Sequence, residues 1–133
     1  MDPDHIPSIL LIDDDAFLLE MYSIKFKENG FEVVAAEGAE QALDKLHEGF
    51  TPTAIVLDLI MPTIDGLGFL SRRKAEDLAP EAIIIVLSNQ GDTDAVEEAK
   101  KLGAHDYILK ANTIPSEVLA KVREIIKRQE NTR

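Results

Sequence analysis

The sequence predicts a doubly wound α/β domain, a parallel five-stranded sheet with helices on both faces, and three observations lead there. Short apolar runs recur along the chain, strongest in Ser8-Ile9-Leu10-Leu11-Ile12, Ala54-Ile55-Val56-Leu57 and Ile83-Ile84-Ile85-Val86-Leu87. Runs without polar alternation mark strands buried on both faces, as in parallel sheets. Between the runs, apolar residues recur at helical spacing, so strands and helices alternate strictly, as right-handed crossovers require. Finally, the runs end on chemically competent side chains, which a parallel sheet gathers at one edge.

The elements follow in order. Ser8–Ile12 is the first strand, and it stops in Asp13-Asp14-Asp15, of which Asp14 or Asp15 can cap the next helix. That helix begins at Ala16, counts Phe17, Leu18, Met21, Tyr22, Ile24 and Phe26 among its apolar positions, and stops at Asn29-Gly30. Phe31–Ala36 is the second strand, and Gly38–Glu48 the second helix, with Ala39, Ala42, Leu43 and Leu46 inward. The third strand ends on Asp58, and a helix over about Gly66–Asp77 offers Leu67, Phe69 and Leu70 to the core. After Pro80 breaks the chain come a strand over Ala82–Leu87, a loop at Ser88-Asn89-Gln90-Gly91 and a helix over Thr93–Leu102 closed by Gly103. His105–Leu109 is the fifth strand and runs into Lys110. Pro115, suited to a first helical position, opens a last helix with Val118, Leu119, Val122, Ile125 and Ile126 on one face. Five such units suit the flavodoxin-like (βα)5 order 2-1-3-4-5, whose ligands bind at the carboxyl ends of strands 1 and 3.

Composition narrows the function. A chain of 133 residues is expected to form one domain over residues 1–133, with its core at about 7–128 and no linker before Gln129. The absence of cysteine removes disulfide frameworks, thiolate metal sites and cysteine nucleophiles, and fits a reducing compartment. Met1-Asp2-Pro3-Asp4-His5 is acidic where a signal peptide is basic, and the Ile6–Ile12 run is too short to cross a membrane. A soluble, cytoplasmic protein is expected. The net charge of -11 argues against direct nucleic-acid binding. Lys121, Arg123, Lys127 and Arg128 are interleaved with Glu117, Glu124 and Glu130, the pattern of a solvated helix face.

In the predicted order, Asp13, Asp14 and Asp15 from strand 1, Asp58 from strand 3, Ser88 from strand 4 and Lys110 from strand 5 share one edge. Crowded carboxylates repel one another, and a hard divalent cation removes the conflict. Magnesium, which wants few carboxylates, retained waters and a phosphoryl oxygen, fits better than calcium. With that cation, Asp58 can act as a nucleophile on phosphorus, while the Ser88 hydroxyl and the Lys110 ammonium neutralise phosphoryl oxygens. Asp15 reads as a helix cap, Asp65-Gly66 as a turn and cap, and Met61 as packing. His5, His47 and His105 share no metal-ligand spacing.

The ordered set Asp13-Asp14, Asp58 followed by Met61-Pro62 and Asp65-Gly66, then Ser88, Tyr107 and Lys110, resembles the receiver domain of two-component response regulators across about residues 7–128. The resemblance implies that Asp58 accepts a phosphoryl group from a sensor histidine kinase or a histidine phosphotransfer protein. It implies Mg2+ held by Asp14 directly, by Asp13 largely through water, and by Asp58 and the Ile60 backbone carbonyl. Ser88 and Lys110 would contact phosphate, and Ser88 and Tyr107 would be the switch pair: phosphate draws the Ser88 hydroxyl inward and Tyr107 fills the space. The surface of the fourth helix, fifth strand and fifth helix would then change its affinity for an output protein or for a second copy. Such a module is not expected to be an enzyme beyond its own phosphotransfer and slow dephosphorylation, and a stand-alone receiver or a piece of a larger regulator is expected.

Three departures accompany the match. Ala111 follows Lys110 where the family has proline, so a trans peptide is expected there. Asn89 stands where the family favours Ala or Gly, which narrows access. Ile60 and Gln90 flank the water path, and an apolar Ile60 gives that water no hydrogen bond, so slow phosphate loss is expected. Of the other readings, a pseudo-receiver that binds partners without phosphorylation keeps all key residues. An aspartyl-phosphate hydrolase of the haloacid-dehalogenase type wants Asp where Ile60 stands, and a flavodoxin-like cofactor binder would not put three aspartates beside an anionic cofactor.

Overall fold

The computed structural model describes residues 6–61, 64–89 and 93–131. Five strands, β1 (Ser8–Ile12), β2 (Glu32–Ala36), β3 (Ala54–Leu57), β4 (Ile83–Ser88) and β5 (Asp106–Leu109), alternate with α1 (Ala16–Glu28), α2 (Ala39–His47), α3 (Gly66–Ala75), α4 (Thr93–Lys101) and α5 (Pro115–Asn131). All neighbours pair in parallel in the order β2-β1-β3-β4-β5, as the alternation predicts. A short 3-10 turn, Lys110–Asn112, joins β5 to the α5 approach.

The period of two in each strand sorts the core into layers. Leu11, Val56, Ile85, Leu87 and Ile108 face α1 and α5, meeting Leu19, Tyr22 and Phe26 from one helix and Val118, Val122 and Ile126 from the other. Leu10, Ile12, Ile55, Leu57, Ile84 and Val86 face the opposite way, against Ala42 and Leu43 of α2 and Phe69 and Leu70 of α3. Every residue of β3 and β4 is buried, which is why those strands carry unbroken apolar runs.

Several expectations shift. Of the apolar positions of α1, Phe17 and Ile24 are 74% and 51% exposed, because the helix turns Leu19, Tyr22, Ser23 and Phe26 inward at i, i+3, i+4 and i+7. Ser88 belongs to β4 rather than to the following loop, its ladder partner being Leu109. Asp58 lies one residue past β3, tied by its backbone N–H to the Ile12 carbonyl at 3.1 Å. Asp15, not Asp14, caps α1, accepting from the Phe17 and Leu18 N–H groups, and Asp65 caps α3 through Gly68 N–H. No peptide bond is cis among the described residues, so Lys110–Ala111 is trans as expected.

Candidate functional site

Alternation aims the site. Counting on from Leu11 and Val56, the next side chains on the α1/α5 face are Asp13 and Asp58, and Lys110 follows Ile108 on that same face. The order β1-β3-β4-β5 then brings them together at the carboxyl edge. The Lys110 ammonium donates to Asp13 Oδ2 at 2.6 Å and to Asp58 Oδ2 at 3.3 Å. Asp58 Oδ1 accepts from the Ser88 hydroxyl at 2.7 Å and from the Ile60 N–H at 3.0 Å. Asp13 Oδ1 accepts from the Asp15 N–H at 2.9 Å, a local turn that orients the carboxylate.

Charge explains the tight pairing. Burial opposes the Lys110 ammonium, but its hydrogen bond to Asp13 and the charges of Asp13 and Asp58 outweigh burial and raise its pKa above the ordinary lysine value. Ser88 is fully buried, and its hydroxyl donates to Asp58. Half-buried Tyr107 donates to the Ser88 carbonyl at 3.4 Å, and burial first, then the Asp58 charge, raises its pKa.

The edge is an open crevice of about 300 Å³ whose wall includes Asp13, Asp14, Asp58, Ser88, Asn89 and Lys110. Asp13, Asp14 and Asp58 each present a carboxylate oxygen within 4.8 Å of the other two. One ammonium against three carboxylates leaves an acidic excess, and the donors are all oxygen. Exposed Asp14 opens the cluster to solvent, so a small hard cation that keeps part of its water shell fits.

Ile60 is 59% exposed beside this crevice, while Gln90 lies outside the described residues. Met61 is buried, as packing requires. Of the histidines, His47 pairs with Glu76 at 2.8 Å, and His105 Nδ1 accepts from the Ile84 N–H at 2.9 Å; His5 lies outside the described residues.

Sequence reasoning missed two contributors. The Ile60 N–H on Asp58 carries no side-chain signal. The sequence marks Asp65-Gly66 only as a turn and cap, yet a Cβ at Gly66 would lie 2.5 Å from the Asp58 carbonyl oxygen and 2.6 Å from Leu59 Cα. Only glycine lets α3 start against the chain that carries Asp58.

Residues 9–123 match the family of response regulator receiver domains. The chain belongs to that family. The receiver is 30% identical over 120 residues to the phosphate regulon transcriptional regulatory protein PhoB of Escherichia coli, covering 90% of this chain and 52% of PhoB. It thus spans about half the length of the curated relatives it matches. A CheY-like receiver domain protein from Methanospirillum hungatei superposes with a TM-score of 0.86 at 26% identity, over 97% of this chain and all of the other. A response regulator from Chloroflexus aurantiacus gives 0.79 at 30% identity, over 92% and 99%. Receiver domains are signalling modules that work with histidine kinases and output domains. Among the described residues no helix is long and apolar enough to cross a membrane.

Proposed function

We propose that the chain, as a single receiver domain, is a phosphoacceptor whose Asp58 takes a phosphoryl group from the phosphohistidine of a sensor kinase or histidine phosphotransfer protein. One observation carries the reading: Ser88, Lys110, Asp13 and Asp14 converge around the Asp58 carboxylate. An Asp58 oxygen forms the O–P bond as the N–P bond breaks, and the imidazole leaves with the bonding pair and takes up a proton. Asp13, Asp14, Asp58 and the Ile60 carbonyl would hold Mg2+, which would supply positive charge against the phosphoryl oxygens. The Ser88 hydroxyl and the Lys110 ammonium take the remaining oxygens, each turning from a carboxylate it now serves.

That turn is the switch. When Ser88 releases Asp58 for phosphate and Lys110 shifts from Asp13, the Ser88 backbone and the Tyr107 hydroxyl bonded to it are biased toward a second packing. The face of α4, β5 and α5 then changes its affinity for an output protein or a second copy, in the cytoplasm and without contact to nucleic acid. Exposed, apolar Ile60 gives an attacking water no hydrogen bond, so phosphate is lost slowly; a half-life of seconds in the purified protein contradicts this.

Beryllofluoride with Mg2+ tests the reading. Amide NMR shifts at Asp58, Ser88, Tyr107 and Lys110 are expected, absent in Asp58→Asn. No Asp58-dependent shift favours a receiver that binds partners without phosphate.

A further inference from the structure

Below the acidic crevice the chain buries a phenol that the phosphotransfer chemistry leaves unused. Tyr22 of α1 is 4% exposed and packs in the α1/α5 layer, the same face of the sheet from which Asp13, Asp58 and Lys110 project. Its hydroxyl makes no hydrogen bond to protein among the described residues. Buried tyrosine hydroxyls ordinarily find a partner. A cavity of about 10 Å³ supplies room for one: Tyr22, Asp13 and Asp58 line it together with Leu11, Val56 and Leu87. A volume of this size is that of a single water, which needs two to four polar partners. The phenol and the two carboxylates are the polar side chains of the wall. The electrostatics agree: burial raises the Tyr22 pKa, Lys110 lowers it and Asp13 raises it, so the phenol lies within the field of the site.

We propose that Tyr22 is a positioning residue of the phosphoacceptor site: its hydroxyl and one water seated in the cavity hold the Asp13 and Asp58 carboxylates from the core side. The water link stands on the cavity alone, while its consequence for metal binding rests on the phosphoacceptor reading. Fixing two ligands before the cation arrives lowers the reorganisation that binding requires. Loss of a hydrogen bond that orients a metal ligand costs roughly 10- to 100-fold in affinity. A link through water belongs at the lower end.

The test uses the whole chain and its Tyr22→Phe variant, which removes the hydroxyl and keeps the ring. Mg2+ affinity is read from the amide shifts of Asp13 and Asp58, and urea unfolding runs alongside. The expected result is about tenfold weaker Mg2+ binding with a urea midpoint close to wild type. A second measurement needs no variant: a nuclear Overhauser effect between the Tyr22 ring protons and a long-lived water in the metal-free protein. Mg2+ affinity of Tyr22→Phe within twofold of wild type, or no such water at Tyr22, overturns the assignment. If both Tyr22 results appear but the wild type gains no phosphate at Asp58 from acetyl phosphate, the phosphoacceptor reading falls and the Tyr22 assignment stands.

Discussion

The Lys110 ammonium lies nearer to Asp13 than to Asp58, at 2.6 Å against 3.3 Å, with the Lys110 and Asp13 side chains each less than a tenth exposed. This lysine is therefore a counter-charge for the acidic cluster. Lys110→Met leaves Asp13 and Asp58 repelling each other, at a cost of about 2 kcal/mol; a charged hydrogen bond contributes roughly 1.5–3 kcal/mol, and the crevice is open to water. Urea unfolding with and without Mg2+ checks this. The cation should stabilise Lys110→Met more than wild type, because it replaces the missing charge; an equal gain in the two proteins contradicts the counter-charge role.

The alkaline limb of stability follows from the same pair. The Lys110, Tyr22 and Tyr107 pKa values all lie above their ordinary values of 10.5, 10.0 and 10.0. A group raised on folding contributes stability that is complete below its unfolded value and is lost as pH rises through its folded value. Stability should hold up to about pH 10 and fall above it, and Lys110→Met should lose the lysine share of that fall. Urea midpoints measured across this range decide the matter; identical slopes in the two proteins would rule out the lysine contribution.

Gly66→Ala tests how closely α3 approaches the segment that carries Asp58. The new methyl group meets backbone at 2.5 Å and cannot be accommodated by a rotamer change. Overpacking of this kind costs roughly 1–3 kcal/mol. The displaced atom is the Asp58 carbonyl oxygen, so thermal unfolding should shift down and phosphate uptake from acetyl phosphate should slow together. A variant with wild-type stability and uptake would show that the loop yields freely.

At the far end of α3, Arg73 is 8% exposed and donates to the Leu78 and Ala79 carbonyls at 3.1 and 3.2 Å. These bonds hold a turn in which Asp77 and Ala79 have φ of 54° and 46°. Arg73→Met strands two carbonyls and should cost about 2 kcal/mol. Aspartate tolerates the left-handed region and alanine does not, at roughly 1–2 kcal/mol. Ala79→Gly relieves that strain and adds unfolded-chain entropy, leaving a net gain of about 0.5 kcal/mol. Chemical denaturation of both variants checks the two signs.

Most of the fold was legible because it rests on local pattern. The unbroken apolar runs of β1, β3 and β4 can only be strands buried on both faces, and once their order is set, Asp13, Asp58, Ser88 and Lys110 must share an edge. What escaped depends on contacts between distant segments. Phe17 and Ile24 are apolar, but which stripe of α1 turns inward depends on the packing of Tyr22 and Phe26 against β1, β3 and α5. The Ile60 N–H and the Gly66 approach are backbone features without a side-chain signature. Arg73 is one of three basic residues in the last turn of α3, and nothing local marks it as the buried one.

The most direct test of Asp58 as phosphoacceptor is the intact mass of the protein after incubation with acetyl phosphate and Mg2+, beside Asp58→Asn. One phosphoryl group on the wild type, none on Asp58→Asn and none without Mg2+ is the expected result. An unmodified wild type, or equal modification of Asp58→Asn, would contradict it.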